Sequence, residues 1–415
     1  MATAELLVLG RRVRDAARIV GCSSAALRDD ALVQAADLLE AETGTILAAN
    51  AVDVRRAEDA GLSQAALDRL TLSASRVSAM AAGLRDVAAL GDPVGEIVDG
   101  WRRPNGLSVS RVRVPLGVVG IIYENRPNVT SDAFGLCLKA GNAAFLRGSS
   151  GALSSNIAIV AVLRRALAKA GLPEDGVVLV EDVSRETAVE FMRLRGLIDC
   201  LVPRGGRDLI ESLVENATVP YVLDGDGNCH VYVDAAADLS MAEDIVVNAK
   251  TQRPGVCNAA ESLLIHRDIA MSFLPRIAGA LAGVELVGDQ RVRAILPGVA
   301  PASGQDFATE FLALKLSVAV VDDIDAAIAH IGRYGSGHSE VIVTADVSAA
   351  DRFVREVDAA AVLVNASSRF IDGGELGLGA EVGISTQKLH ARGPMGVREL
   401  TCLKWVVRGE GQVRR

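Results

Sequence analysis

Pro115-Leu116-Gly117-Val118-Val119-Gly120-Ile121-Ile122-Tyr123-Glu124-Asn125-Arg126-Pro127-Asn128 is an apolar run that ends abruptly in polar side chains. With no polar residue alternating through Val118 to Tyr123, it reads as a strand covered on both faces, which is how a parallel sheet between helices looks. Such a strand delivers polar residues at its carboxyl end, where open α/β sheets carry their sites. Asn125 stands there as a candidate amide donor to an oxyanion, although an Asn before a turn also serves as a cap.

Outward from this strand the pattern repeats. Short apolar runs at 143–146, 177–180, 198–202 and 219–223 alternate with amphipathic stretches at about 130–140, 152–170, 185–195 and 207–216, closed by Gly141, Gly171 and Gly196. This predicts a doubly wound α/β unit. A second α/β run starts near Asn228, with strands at 231–233, 262–265, 316–321, 341–343 and 361–364. Upstream, residues 1–90 read as helices, with Leu9, Val13, Ala16, Ala17 and Val20 on one face, Ser24 as a cap and Gly91-Asp92-Pro93 as a stop. Residues 97–114 alternate around Arg103-Pro104-Asn105-Gly106 as a β-hairpin, with Leu107, Val109 and Val112 facing in, and with no core of its own. Leu400 to Val407 reads as a last strand.

Composition narrows the class of function. At 415 residues, 50% hydrophobic but only 3% aromatic, the chain has enough Ala, Val, Leu and Ile for two or three α/β cores. A formal net charge of -9 with scattered Lys and Arg argues against a nucleic-acid or membrane-surface partner and for a small-molecule ligand. Cys22, Cys137, Cys200, Cys229, Cys257 and Cys402 form no C-x-x-C pair and have no His at ligand spacing, so no metal site is expected and reduced thiols in a cytoplasm are. Arg11, Arg12, Arg14 and Arg18 interrupt any signal-peptide core, and no uncharged stretch approaches the roughly 20 residues of a membrane helix.

Two further constellations carry chemistry. Thr251-Gln252-Arg253-Pro254-Gly255-Val256-Cys257-Asn258 sets one cysteine beside backbone breakers and a fixed charge. A bend at Pro254-Gly255 can expose N–H groups to an oxyanion, and Arg253 favours thiolate, so Cys257 is read as a nucleophile against the alternative of a small buried hydrophobe. Arg147-Gly148-Ser149-Ser150 and Pro203-Arg204-Gly205-Gly206 each join a strand to a helix. Neither is the G-x-G-x-x-G fingerprint, and each also suits a plain tight turn, but glycines before a helix N-terminus admit phosphate. Arg147 and Arg204, at strand ends, tilt the reading toward a 2′-phosphate and so toward NADP(H) over NAD(H). Arg126, Arg253 and Arg369 are candidates for the substrate's anionic groups, or for structural salt bridges. His230 and His390 are given no catalytic role.

The strand ending in Asn125-Arg126-Pro127, with a single cysteine much further on, resembles the aldehyde dehydrogenase superfamily. The 123–130 stretch, Thr251 to Cys257 and Leu389-His390-Ala391-Arg392-Gly393-Pro394-Met395-Gly396 are similar, over essentially the whole chain, to its branch of acyl-phosphate reductases in proline biosynthesis. The resemblance implies an aldehyde dehydrogenase-like fold of two doubly wound α/β domains plus a small β oligomerisation element. It implies NADPH-dependent reduction of L-glutamate 5-phosphate to L-glutamate 5-semialdehyde with release of phosphate, through a cysteinyl thioester. Cys257 is then nucleophile and Asn125 oxyanion donor; Arg147, Ser149 and Gly205 fall where the superfamily binds its nucleotide, and Glu310 resembles the acid that positions the nicotinamide ribose. The implied domains are 1–97 with 115–227 for the nucleotide, including a return segment near 370–395, then 228–369 for the cysteine, with 98–114 and 396–415 for oligomerisation. A homo-oligomer, and a transient glutamate kinase partner for the labile acyl phosphate, belong to the same expectation.

One departure bears on the reaction. Hydrolytic relatives carry a glutamate before Gly-Gly to activate water, and the matching stretch here is Val222-Leu223-Asp224-Gly225-Asp226-Gly227. A thioester without that base survives to meet hydride or phosphate, although Asp224 is a candidate displaced base. The competing expectations are a hydrolytic or CoA-acylating aldehyde dehydrogenase, and a non-catalytic relative.

Overall fold

Serine chemistry sets the helix starts at the N-terminal end of the chain. In the computed structural model, which describes residues 4–223 and 225–414, Ser24, Ser63 and Ser73 each accept a backbone N–H, from Leu27, Ala66 and Arg76. These caps open α2 (Ala25–Ala41), α4 (Gln64–Leu70) and α5 (Ala74–Ala89), which follow and alternate with α1 (Ala4–Cys22) and α3 (Thr43–Asp59). α1 buries Leu6, Val13, Ala16, Ala17 and Val20 on one stripe. The chain divides into two units: Met1–Leu223 with Gly377–Gly383 and Met395–Arg415, and Asp224–Leu376 with Ile384–Pro394.

In the first unit the hairpin of β1 (Ile97–Arg102) and β2 (Ser108–Pro115) leads into β3 (Val118–Tyr123), every residue of which is buried. The alternation continues with α6 (Asn128–Lys139), β4 (Ala143–Arg147), α7 (Leu153–Lys169), β5 (Val177–Leu179), α8 (Arg185–Phe191), β6 (Cys200–Arg204) and α9 (Arg207–Asn216). The parallel sheet has the order β5-β4-β3-β6. The chain thus winds outward from β3 and then reverses, which leaves a crevice at the carboxyl ends of β3 and its neighbours. Phe145 on β4 and Phe191 at the end of α8 close the core beneath, with ring centroids 4.8 Å apart.

Two expectations change here. Residues 219–223 are not a strand: Leu201 donates to Pro220 O and Val222 donates to Leu201 O, leaving one bridge between Leu201 and Tyr221. Pro220 has no N–H with which to extend the ladder. The hairpin has no buried inner face either, since Leu107, Val109 and Val112 are all half-exposed and the register slips between Ile97 and Asp99. The C-terminal strand Thr401–Arg408 pairs with β2 along its whole length to make a three-stranded sheet, and Trp101 and Trp405 meet edge-to-face on it at 5.6 Å while staying exposed. Ser150–Lys169 is long and apolar enough to cross a membrane, yet α7 buries Ile159, Leu163, Ala166 and Leu167 against the unit's own core.

The second unit is built on a seven-stranded parallel sheet of order β10-β9-β11-β8-β7-β12-β13. Its elements run β7 (Cys229–Val233), α10 (Leu239–Thr251), β8 (Ala260–His266), α11 (Arg267–Ala280), β9 (Glu285–Gly288), α12 (Gln290–Ile295), β10 (Ala300–Pro301) and α13 (Gly304–Phe307), then β11 (Lys315–Val321), α14 (Ile324–Tyr334), β12 (Ser339–Val343), α15 (Val347–Glu356) and β13 (Ala361–Val364). Alternate residues of the central strands enter opposite cores. Val231, Leu263 and Val341 join one with Val246 and Phe273, whereas Tyr232, Leu264 and Ile342 join the other with Ile331 and Phe353. Two covered faces explain the unbroken apolar runs.

The return segment expected at 370–395 is shorter. Only Gly377–Gly383 joins the first unit, where Val382 N–H donates to Met395 O and Met395 N–H to Gly383 O. Ile384–Pro394 stays with the second unit, because Ile384 O accepts from Gly225 N–H, and Lys388 and Arg392 both pair with Asp358. The first edge falls after Leu223 and not after 227.

Candidate active site

The three turns at the carboxyl ends of β3, β4 and β6 bring most of the expected nucleotide residues together. Asn125 follows β3, and its Oδ1 accepts from Ser149 Oγ at 2.6 Å. That bond engages the amide oxygen and identifies the NH₂ as the donor end of the side chain. The turn beneath has no room to spare, for a Cβ at Gly151 would run into the Asn125 side chain. Below it, Tyr123 Oη and Thr130 Oγ1 bond at 2.8 Å and Thr130 donates to Asn156 Oδ1 at 3.0 Å, a buried network that fixes the strand end.

The neighbouring cations are less free than their positions in the chain suggest. Arg147 donates through Nη2 to Val183 O at 2.7 Å and Ser184 O at 2.8 Å, holding the loop ahead of α8, its Nε is buried without a hydrogen-bond partner, and burial lowers its pKa. Arg204 ends β6 half-buried, and its charge acts on Asp132, whose carboxyl burial pushes up to about 6. Gly205 and Gly206 are exposed ahead of α9, and Gly206 N–H donates to Glu124 Oε2 at 3.0 Å. A carboxylate of the chain itself therefore lies at the helix N-terminus, the position that attracts anions. Arg126 is half-buried in the turn ahead of α6. A helix start with a guanidinium beside it is a donor set that fits a dinucleotide's phosphates only once the Glu124 carboxylate moves off Gly206 N–H.

The second unit positions Cys257 differently. The residue lies in the loop between α10 and β8, at the amino ends of the strands, so the rule that sites follow strand ends does not find it. The loop is tied at both ends: Lys250, in the last turn of α10, donates to Glu261 Oε2 on β8 at 2.6 Å, and both side chains are fully buried. Burial lowers Lys250 and raises Glu261, while their mutual attraction opposes each shift. Glu261 Oε1 also accepts Leu312 N–H at 3.1 Å.

Against this loop lies the 225–228 segment. A Cβ at Gly227 would overlap the Cys257 carbonyl, so only glycine fits, and Gly227 N–H donates to Glu310 Oε1 at 2.8 Å. Cys229 Sγ reaches the Cys257 carbonyl at 3.2 Å, and burial keeps that second thiol protonated, its pKa raised well above normal. Glu310, Gly227 and Cys257 thus form one cluster; Asp224 lies outside the described residues. Arg369 is half-buried, donates through Nε to Gln252 Oε1 at 2.8 Å, and is lowered first by burial, with Asp372 raising it, Arg253 lowering it and Cys257 raising it electrostatically. That brings Arg253, Arg369 and Cys257 within one electrostatic neighbourhood. Asn125 and Cys257 belong to different units. The cysteines form no disulfide, and among the described residues no cluster of three His, Cys, Asp or Glu is placed to hold a metal. His230 is fully buried against Glu340 at 3.0 Å, a structural pair.

Gly227, Glu124 and the Lys250–Glu261 pair were missed by sequence reasoning. Only Gly227 left a signal, the alternating Gly225-Asp226-Gly227; a clamp between residues eleven positions apart leaves none.

Comparison with known proteins matches residues 12–301 to the model of the aldehyde dehydrogenase family. The chain is 55% identical to the gamma-glutamyl phosphate reductase of Heliobacterium modesticaldum over 99% of both chains, and 55% identical to that of Thermobifida fusca over 98% of both. The crystal structure of the gamma-glutamyl phosphate reductase of Thermotoga maritima superimposes with a TM-score of 0.97 at 48% identity, covering 99% of this chain and all of that one.

Proposed function

The chain belongs to the aldehyde dehydrogenase family and, within it, to the gamma-glutamyl phosphate reductases, and from that premise we propose how its residues reduce L-glutamate 5-phosphate to L-glutamate 5-semialdehyde. It is an oxidoreductase of proline biosynthesis that works with a nicotinamide coenzyme. The observation that carries the residue assignment is the Cys257 loop, clamped by Lys250–Glu261 and backed by Gly227.

In this reading the Cys257 thiolate attacks the acyl phosphate and the carbonyl oxygen becomes an oxyanion, with the Asn125 amide and the Cys257 N–H as its donors. Collapse expels phosphate, with Arg253 as its partner, and leaves a thioester on Sγ. A nicotinamide bound on the first unit supplies the hydride. Expulsion of the thiolate then frees the aldehyde. Glu310 holds the loop around Gly227 in shape and is the candidate contact to the coenzyme's ribose. The missing Glu-Gly-Gly glutamate supports reduction over hydrolysis.

NADPH over NADH rests on Arg204, the guanidinium at the end of β6. Arg147 contributes less than its position promises, being bound to two carbonyls. Arg204→Gln should narrow the NADPH-to-NADH preference in kcat/KM by about tenfold, and an unchanged ratio would remove Arg204 from the coenzyme site. The three-stranded sheet with exposed Trp101 and Trp405 supports a homo-oligomer, and a cytoplasmic setting and a glutamate kinase partner remain part of the proposal.

The deciding experiment is the reverse reaction: glutamate semialdehyde and NADP⁺ with and without inorganic phosphate, beside Cys257→Ala. Phosphate-dependent NADPH formation that vanishes in the variant is expected. Turnover without phosphate would mean a hydrolytic enzyme, and undiminished turnover in the variant would displace Cys257.

A further inference from the structure

The segment after β13 is stitched to the residue next to the nucleophile. Ser368 Oγ donates to Asn258 O at 2.6 Å, and Asn258 Nδ2 donates to Ile371 O at 2.7 Å. Both anchors are buried, so Arg369, between them in sequence, has a fixed backbone. Its Nε bond to Gln252 also fixes the plane of the guanidinium. Two residues on from Phe370, Asp372 is held by accepting Gly374 N–H at 2.9 Å.

Here a cavity of ≈ 230 Å³ opens, lined by Asn248, Gln252, Arg369, Phe370, Asp372 and Glu375. One guanidinium, two carboxylates and two side-chain amides make an unusual lining for an anion site. Two carboxylates repel a phosphate dianion, so the cavity does not suit the leaving group. They suit an ammonium, while the guanidinium fork suits a carboxylate. A group carrying both charges on one carbon is the head of an α-amino acid, and a zwitterion of zero net charge meets no net repulsion there.

We propose that this cavity reads the α-carboxylate and α-ammonium of the substrate, with Arg369 on the carboxylate and Asp372 with Glu375 on the ammonium. The proposal rests on the reading of the chain as a reductase of L-glutamate 5-phosphate, and it divides the arginines. Arg369 takes the amino-acid head, and Arg253, which lines no wall of this cavity, is left for phosphate. Gln252 and Asn248 complete the polar wall, and Phe370 gives the side-chain methylenes an apolar surface. A site built from such partners rejects a substrate that lacks the matching group, because its own charges are then left unpaired.

The test uses the whole chain in the phosphate-dependent oxidative direction with three aldehydes. These are glutamate semialdehyde, glutarate semialdehyde, which lacks the ammonium, and 4-aminobutanal, which lacks the carboxylate. Arg369→Gln should raise KM by about 10- to 100-fold for the two carboxylates and leave 4-aminobutanal within about twofold. Asp372→Asn and Glu375→Gln should reverse the pattern, penalising the two amines and sparing glutarate semialdehyde. Equal losses on all three aldehydes, or none, would overturn the proposal. Glu375 is exposed, so its variant keeps the test open if Arg369→Gln does not fold. As a readout without turnover, L-glutamate should slow alkylation of Cys257 in the unsubstituted protein and lose that effect in Glu375→Gln; equal protection in both would count against the site. An unsubstituted chain that forms no NADPH from glutamate semialdehyde and phosphate would defeat the reductase reading and this proposal together. Normal activity with a flat variant pattern defeats this proposal alone.

Discussion

Gly227 and Ser149 show how much of the site depends on a single atom. No side chain fits at Gly227, because the Cys257 carbonyl occupies the place of a Cβ. Gly227→Ala must push the nucleophile's loop away, and a displacement of about 1 Å near the reacting atoms costs on the order of 10²-fold in rate. The variant should lose about that much kcat/KM and alkylate at a changed rate; unchanged kinetics would show that the loop relaxes freely. Ser149 presents a choice of roles. As a coenzyme contact its loss would raise KM for NADP⁺, but the 2.6 Å bond to Asn125 Oδ1 makes it a positioning residue for the amide. Ser149→Ala is expected to lower kcat by about tenfold with KM for NADP⁺ unchanged, beside a drop of about 10²- to 10³-fold for Asn125→Ala. Asn125 and Cys257 stand out in the sequence because strand ends and Pro-Gly bends are local signals, and their roles belong to the proposal. Ser149's partner is set by tertiary contact, and nothing local marks it.

Among the elements, the clamp between α10 and β8 asks for a stability argument as well as a catalytic one. Removing one member of a fully buried ion pair strands the other charge, at a cost of about 3–5 kcal/mol. Lys250→Met alone should therefore destabilise by about that much, whereas Lys250→Met with Glu261→Leu should recover most of it, as measured by urea unfolding. If the double variant is stable but slow, the pair's service is to hold the Cys257 loop; if it is stable and fully active, the pair is dispensable packing. The exposed sheet of β1, β2 and the C-terminal strand carries its own test. Trp405→Asp should lower the mass seen in sedimentation while leaving the helical content unchanged, and an unchanged mass would place the oligomer contact elsewhere. At this scale the long apolar strands were legible from their covered faces. β9 and β10 were not, being only four and two residues long with β10 exposed, and 219–223 misled because Pro220 breaks a ladder that composition alone suggests.

For the whole molecule, the two-unit α/β plan was legible from the alternation of strands and helices, but the crossing of 377–383 and 384–394 between units was not, since it rests on a few long-range backbone bonds. The response to acid is likewise a property of the sum. Burial lowers His330 and His338 to about 4, so their neutral forms contribute stability above pH 6.5 that is lost as pH falls from there through about 4. Buried carboxyls act in the opposite sense. Asp132 is raised to about 6 and Glu261 to about 7, so their contribution is complete below the unfolded carboxylate range and lost as pH rises through those values. As pH falls from 7 toward 4.5 the imidazoles weaken the fold while the buried carboxyls, Glu340 among them, strengthen it. Unfolding followed at moderate salt, which screens exposed ion pairs, should show less stability lost across that range than the two imidazoles alone would cost, and a loss as steep as theirs would show that the carboxyls titrate at ordinary values in the folded state. His338 is fully buried, and its shift corresponds to ~3 kcal/mol. His338→Gln removes one of the two lowered imidazoles, so the stability of the variant relative to the parent should climb by about that much as pH is lowered from 7 to 4. Parallel profiles for the two proteins would mean that His338 takes up its proton in the folded state at an ordinary pH.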